Sequence, residues 1–253
     1  MRSTGGPEPL LLPAPSSQWR APESVLGPLW GEPPPPAQPD SRFRGAFNGP
    51  VYAMRRLHDR PRLSLSCRPG WYFDSLNSCE RQESGGCARF RPPERRPLDG
   101  SGRTAAIGIS TVVAWRAADG WRALAAPLRA RPLPRLTGLL HVVPSGMFAP
   151  PYSVTANVER EMEEELGLRL DPRRLLLAGA AIDPRNQRPE ICALYVLSHR
   201  PTGRLNEEFA PHLLEVPLPG GLRIGQLAGF VSPGAAALVL AARLLHAAAP
   251  AWR

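Results

Sequence analysis

The chain has 253 residues, a mass of 27.5 kDa and 43% hydrophobic residues, enough for the core of one large domain or two small ones. Its net charge is +9, but all 31 basic residues are arginines spread along the sequence, so the charge does not favour nucleic-acid binding. Residues 234–249 form the longest apolar stretch, which Arg243 interrupts and which is shorter than the ~20 residues of a membrane-spanning helix. The N-terminus lacks the apolar core of a secretory signal, so we expect a cytoplasmic protein.

The first hundred residues are predicted to contain two different regions. Residues 1–41 are rich in proline, glycine and serine and show neither helical nor strand periodicity, which predicts a disordered tail. Residues 42–102 are predicted to form a small β-rich element that ends in a linker. Short strands are expected at 51–54 and 63–66, and three consecutive aromatic residues follow at 71–73.

Three of the four cysteines lie close together in this second region. Cys67, Cys79 and Cys87 are separated by 11 and 7 residues, and no histidine lies between them. A structural zinc site commonly has cysteine pairs separated by two to four residues. Reduced thiols are therefore expected rather than a zinc site.

Residues 103–253 have the pattern of one α+β domain. The apolar segments bounded by turn residues predict five strands, and two longer segments predict helices. Asp119 and Gly120 are typical of a tight hairpin turn between the first two strands. The expected strands are 107–114, 121–125, 139–143, 175–181 and 191–198, and the expected helices are 153–166 and 233–248. This order predicts a mixed sheet packed against helices.

The first of these helices carries three glutamates on one sector. Apolar residues repeat every fourth position from Val154 to Leu166 and form a buried stripe, with Glu161, Glu164 and Glu165 beside it. Carboxylates crowded within one turn repel each other unless a cation lies among them, and their oxygens suit Mg²⁺ or Mn²⁺. The alternative is a solvated acidic helix face, which is the common meaning of a glutamate-rich helix.

The segment 146–168, called the box segment, resembles the Nudix box. That motif is a glycine, five residues, a glutamate, seven residues, then Arg-Glu, an aliphatic residue, any residue, Glu-Glu, any residue, a glycine and an aliphatic residue. Eight of its nine defined positions match, namely Gly146, Arg160, Glu161, Met162, Glu164, Glu165, Gly167 and Leu168. Tyr152 stands in the place of the first glutamate. Because the spacing is kept throughout, we identify the domain as similar to the Nudix hydrolase superfamily.

The resemblance implies a fold and a set of roles. The fold would be the α+β Nudix fold, a mixed β-sheet sandwiched between α-helices. Glu161, Glu164 and Glu165 would bind Mg²⁺ or Mn²⁺, and Glu164, Glu161 and Arg160 would be catalytic. Gly146 and Arg160 would lie against the substrate, a nucleoside diphosphate-linked or similar small molecule. The reaction would be pyrophosphatase cleavage of its diphosphate bond.

Four further residues are weaker candidates. Family members often add a glutamate from a strand or loop that faces the box, and Glu190, Glu207 and Glu208 are open for that role, although an exposed acidic residue is the more common explanation for each. His141 precedes the box segment and could face a substrate. A lone histidine on an apolar strand is more often a packed, hydrogen-bonded residue.

Tyr152 leaves more than one function open. A metal-dependent hydrolase is the leading hypothesis, and a Nudix-fold ligand-sensing or regulatory domain with weak or no turnover is the alternative. A third hypothesis, an arginine-rich nucleic-acid binder, predicts binding that weakens steeply with salt. The sequence identifies neither the substrate nor the oligomeric state, and a homodimer is compatible with it.

Overall fold

The computed structural model of the chain describes residues 9–14, 49–58, 63–80, 104–128, 136–150, 152–183, 186–202, 209 and 212–248. Its strands are β1 Leu10–Pro13, β2 Pro50–His58, β3 Ser64–Trp71, β4 Gly108–Ala117, β5 Gly120–Pro127, β6 Leu140–Val142, β7 Ser145–Met147, β8 Leu175–Ile182, β9 Pro189–Leu197 and β10 Leu214–Pro217. Its helices are α1 Tyr72–Ser75, α2 Val154–Leu166 and α3 Ser232–Ala247, and α1 continues into a π-helical turn, Leu76–Glu80. Within these ranges no helix is both long and apolar enough to cross a membrane.

Eight of the strands form one mixed sheet. The order is β1-β8-β9-β4-β5-β10, and β6 and β7 pair with β5 and β4. β4 and β9 run parallel, whereas the other pairs are antiparallel. The predicted hairpin is confirmed, because Ala117 pairs with Gly120 and Gly120 has φ +132°. β2 and β3 form a separate two-stranded sheet.

One helix covers each face of the large sheet. Strand alternation sends Ile109 and Val113 of β4 into a core with Val158 and Met162 of α2. The intervening residues of β4, with those of β9, pack against the alanine- and leucine-rich α3. The predicted fold class, a mixed sheet between helices, is therefore confirmed.

The β2–β3 hairpin shares the α2-side core. Met54 and Leu57 are buried there. The Tyr52 amide donates to the Phe148 carbonyl at 2.8 Å, and the Ile107 amide donates to the Tyr52 carbonyl at 2.9 Å. The hairpin is thus hydrogen-bonded to Phe148, in the segment that follows β7. The predicted strands at 51–54 and 63–66 are present, whereas the division of the chain at residue 103 stays a prediction.

The prediction of a disordered tail over 1–41 is wrong for Leu10–Pro13. These residues form β1, which pairs antiparallel with β8 at the edge of the sheet, with Leu12 buried in the α2-side core. Four residues are too few to show a periodicity, so the pattern gave no sign of a strand. The open edge of β8 supplies the backbone hydrogen bonds that order them.

Gly179 allows β1 to lie this close. It pairs with Pro13, has φ +153°, and a Cβ added to it would overlap the Leu12 carbonyl oxygen. We expect Gly179→Ala to displace β1 and lower the free energy of unfolding by about 1–3 kcal/mol. Hydrogen exchange should show faster exchange at the β1 amides. Gly221→Ala is the matched control because its added Cβ would meet open space; equal exchange in both variants would contradict this role for Gly179.

Two of the described cysteines, Cys67 and Cys192, are free thiols, and burial raises the pKa of Cys67 to about 11. Cys87 lies outside the described residues. The expectation of reduced thiols therefore stays a prediction.

Candidate functional site

α2 spans Val154–Leu166, within one residue of the predicted helix 153–166. Ser153 caps the N-terminus, where its hydroxyl oxygen accepts from the Ala156 amide at 3.1 Å. Gly167 ends the helix in the left-handed conformation with φ +63°, and its amide donates to the Glu163 carbonyl at 3.0 Å. The acidic turn is therefore fixed between a cap and a sharp turn.

The three glutamates of this turn differ in exposure. Glu161 and Glu165 are 9% and 2% exposed, whereas Glu164 lies on the exposed side of the helix. At about 100° per residue, positions four apart lie nearly above each other, and position 164 is rotated away towards solvent. Burial of a carboxylate is costly unless it is hydrogen-bonded or paired with a cation. Glu161 and Glu165 thus form the buried part of the acidic cluster.

The backbone of β7 lies directly against these two carboxylates. The Ser145 amide donates to Oε2 of Glu165 at 3.1 Å. A Cβ added to Gly146 would overlap the Glu161 carboxylate. Glycine at position 146 is therefore what lets the chain pass so close to Glu161. The structure brings Gly146, Glu161 and Glu165 together.

Arg160 joins the buried and exposed glutamates. Its guanidinium donates to Oε1 of Glu161 and, at 2.8 Å, to Oε2 of Glu164. Its Cζ atom also lies 5.9 Å from the centre of the Tyr152 ring. Arg160 therefore neutralises part of the charge of the cluster and fixes two carboxylates relative to each other.

The donor chemistry of the cluster suits a divalent cation, although the side chains are not gathered around one point. Glu161 and Glu165 supply hard carboxylate oxygens from consecutive turns of one helix. Within the described ranges, no three His, Cys, Asp or Glu side chains lie close enough together to hold a metal ion. Glu164 is instead paired with Arg160 through its Oε2.

The sequence did not single out Asn157, which holds the box segment in shape. This residue is fully buried, and its Nδ2 donates to the carbonyls of Ala149 and Ser153 at 3.2 and 3.1 Å. Its Oδ1 accepts from the Ala149 amide at 3.2 Å. The sequence does contain a signal for this role, since Asn157 stands next to the apolar stripe of α2. Asparagine is a poor helix former unless its side chain is hydrogen-bonded.

Glu190 is not brought together with the glutamates of α2. Its neighbours in β9, Cys192 and Leu194, alternate onto the α3 side of the sheet, and its Oε1 accepts from the Ser110 hydroxyl at 2.5 Å. Burial raises the pKa of Glu190 to about 7, partly offset by Ser110 and Arg188.

The raised pKa of Glu190 makes stability depend on pH. The unfolded chain releases this proton near pH 4.5 and the folded chain near pH 7, so folding becomes less favourable as the pH rises through that interval. The free energy of unfolding should therefore fall between pH 4.5 and pH 8, and we expect this fall to be about 1–3 kcal/mol smaller in Glu190→Gln. Urea unfolding of both proteins at pH 4.5 and pH 8 measures the difference. An identical pH dependence in the two proteins would contradict the raised pKa.

The remaining described candidate is His141. Burial lowers the pKa of His141 to about 4, and its Nδ1 lies 3.1 Å from the Val142 carbonyl oxygen, so the ring is neutral at pH 7. This favours the packed histidine over the substrate-facing one. Glu207 and Glu208 lie outside the described residues.

No family model matches this chain, and no curated protein matches it. Several solved structures are similar to it. A MutT/nudix family protein from Enterococcus faecalis has 17% identity and a TM-score of 0.38, and the match covers 44% of this chain and 43% of that one. The NUDIX domain of Shewanella oneidensis NrtR, complexed with ADP ribose, has 14% identity and a TM-score of 0.44, and the match covers 56% of this chain and 90% of that one. A C. elegans Ap4A hydrolase has 14% identity and a TM-score of 0.40, and the match covers 56% of this chain and 98% of that one. Similarity at this level carries no conclusion about activity or substrate.

Proposed function

We propose that this chain, a Nudix-fold protein, is a metal-dependent hydrolase that cleaves a diphosphate bond in a nucleoside diphosphate-linked or similar small molecule. The observation that supports the proposal is the contact between α2 and β7. Buried Glu161 and Glu165 lie against the backbone of Ser145 and Gly146 at the position where the box motif would hold metal and phosphate.

The proposal assigns a role to each residue of the cluster. Glu161, Glu164 and Glu165 would hold Mg²⁺ or Mn²⁺, which when bound neutralises phosphate oxygens and lowers the pKa of bound water. Glu161 and Glu164 would be the candidates to accept a proton from the attacking water. Arg160 orients Glu161 through its ion pair, and Gly146 lets the backbone of β7 lie against the Glu161 carboxylate.

Two observations support the alternative, a ligand-sensing or regulatory domain with little turnover. Tyr152 replaces the first glutamate of the motif, which removes one carboxylate. In the part of the chain that the structure describes, the acidic side chains do not surround one metal position. A binding protein needs to recognise its ligand without aligning water for attack.

A turnover assay on the full chain separates the two functions. The protein would be incubated with Mg²⁺ or Mn²⁺ and a panel of nucleoside diphosphate derivatives, including ADP ribose and Ap4A, and monophosphate release would be measured. The control is Glu164→Gln combined with Glu165→Gln. Release that is lost in the control supports a hydrolase. Ligand binding without release from any compound supports the sensing domain.

The other expectations about the chain stay predictions. They are the cytoplasmic location, the choice between Mg²⁺ and Mn²⁺, and a homodimeric state. Neither hypothesis of function depends on them.

A further inference from the structure

The Arg160 guanidinium has two of its nitrogens paired and one unpaired. Nη1 and Nη2 donate to Glu164 and Glu161. Nε is buried and has no hydrogen-bond partner among the described residues. The two ion pairs therefore use the terminal nitrogens and leave the Nε donor without an acceptor.

Tyr152 supplies the remaining contact. The centre of its ring lies 5.9 Å from the Arg160 Cζ, within the range of a cation–π interaction. Its side chain is 42% exposed, which is unusual for a large aromatic group and shows that the ring is not held by a surrounding core. Among the described residues, the Tyr152 ring contacts the Arg160 guanidinium.

The backbone fixes where Tyr152 lies. Its amide donates to the Ala149 carbonyl at 3.2 Å. Asn157 of α2 binds both the amide and the carbonyl of Ala149. Because α2 also carries Arg160, the helix sets the position of both partners. The contact between ring and guanidinium therefore follows from the shape of the box segment.

We propose that Tyr152 is a positioning residue, whose ring holds the Arg160 guanidinium in the orientation that pairs it with Glu161 and Glu164. A glutamate at position 152 would add a negative charge to the cluster. The tyrosine ring lies beside the Arg160 guanidinium without adding that charge. The step from these glutamates to metal binding rests on the proposed function, whereas the contact itself does not.

The contact can be tested without metal or substrate. The Nε–Hε resonance of Arg160, assigned by its loss in Arg160→Gln, should be shifted by the ring current of Tyr152. Tyr152→Phe keeps the ring and should preserve the shift. Tyr152→Leu should abolish it. An unshifted resonance in the wild-type protein, or one that Tyr152→Leu leaves unchanged, would overturn the proposal.

The effect on the glutamates is tested by Mn²⁺ affinity in a double-mutant cycle. We expect Tyr152→Leu to weaken Mn²⁺ binding about two- to fivefold, the size of an exposed cation–π interaction, and Tyr152→Phe to match the wild type. In the Arg160→Gln background, Tyr152→Leu should have no effect. Equal losses in both backgrounds would show that Tyr152 does not act through Arg160.

The two proposals fail in different ways. A wild-type protein that binds no Mn²⁺ and cleaves no diphosphate contradicts the proposed function, and the Arg160 resonance still decides the contact. A protein that binds Mn²⁺ equally well with tyrosine, phenylalanine or leucine at position 152 keeps the proposed function and overturns the positioning role.

Discussion

Replacing Glu161 by glutamine will lower kcat/KM for the cleaved diphosphate by about 10²- to 10⁴-fold, the range expected for loss of a general base. Glutamine keeps the size of the side chain and its place beside Gly146, but it loses the negative charge. The ion pair with Arg160 is lost as well, so the Arg160 guanidinium becomes freer to move. Steady-state kinetics with saturating Mg²⁺ measures the change.

Glu163→Gln is the matched control for this experiment. Glu163 lies on the same helix, is exposed, and stands at a position that the motif leaves undefined. Its replacement removes the same charge and should change kcat/KM less than about twofold, since screening by solvent weakens exposed charges. Equal losses for Glu161→Gln and Glu163→Gln would mean that the helix contributes only its overall charge, and the assigned role of Glu161 would be wrong.

The second large effect is expected from Gly146→Ala. The added methyl group would overlap the Glu161 carboxylate, which is the mobile end of a side chain and can move away. We therefore expect a small loss of stability, under about 1 kcal/mol, together with a loss of about 10²-fold in turnover, because misplacement of a catalytic group by 1 Å can cost that much. Thermal unfolding and steady-state kinetics on the same preparation measure the two effects.

Gly221→Ala provides the comparison, since its added Cβ has no neighbour within 4 Å. It should leave both quantities unchanged. If Gly146→Ala unfolds the protein instead of only lowering turnover, the segment at β7 cannot yield, and the mobile carboxylate is not the group that moves. If turnover is unchanged in Gly146→Ala, turnover does not depend on the position of the Glu161 carboxylate beside β7.

The helix and its cluster could be predicted because their determinants are local. The four-residue spacing of Val158 and Met162 determines the buried face of α2, and Ser153 and Gly167 lie at its ends. The same helical periodicity places the three glutamates on one sector. It could not separate buried Glu165 from exposed Glu164, because that difference depends on where β7 lies against the helix.

Features that depend on distant pairing were not predictable. β1 pairs with β8 across about 170 residues of sequence, and three leucines carry no periodicity that indicates a partner. The face on which Glu190 lies is decided by the register of β9, and a shift of one residue would reverse it. The role of Asn157 depends on Ala149, whose position relative to α2 is a tertiary property.

The placement of β1 and the β2–β3 hairpin has a consequence for any shortened form of the protein. A truncated protein that begins near residue 104 would lose the strand that covers β8 and the hairpin that buries Met54 and Leu57. It would then present an unsatisfied row of amides and carbonyls next to bare apolar surface, which is a template for strand-by-strand polymerisation. Insolubility of such a fragment would therefore reflect an uncovered sheet edge, and would carry no information about whether the cluster on α2 is active.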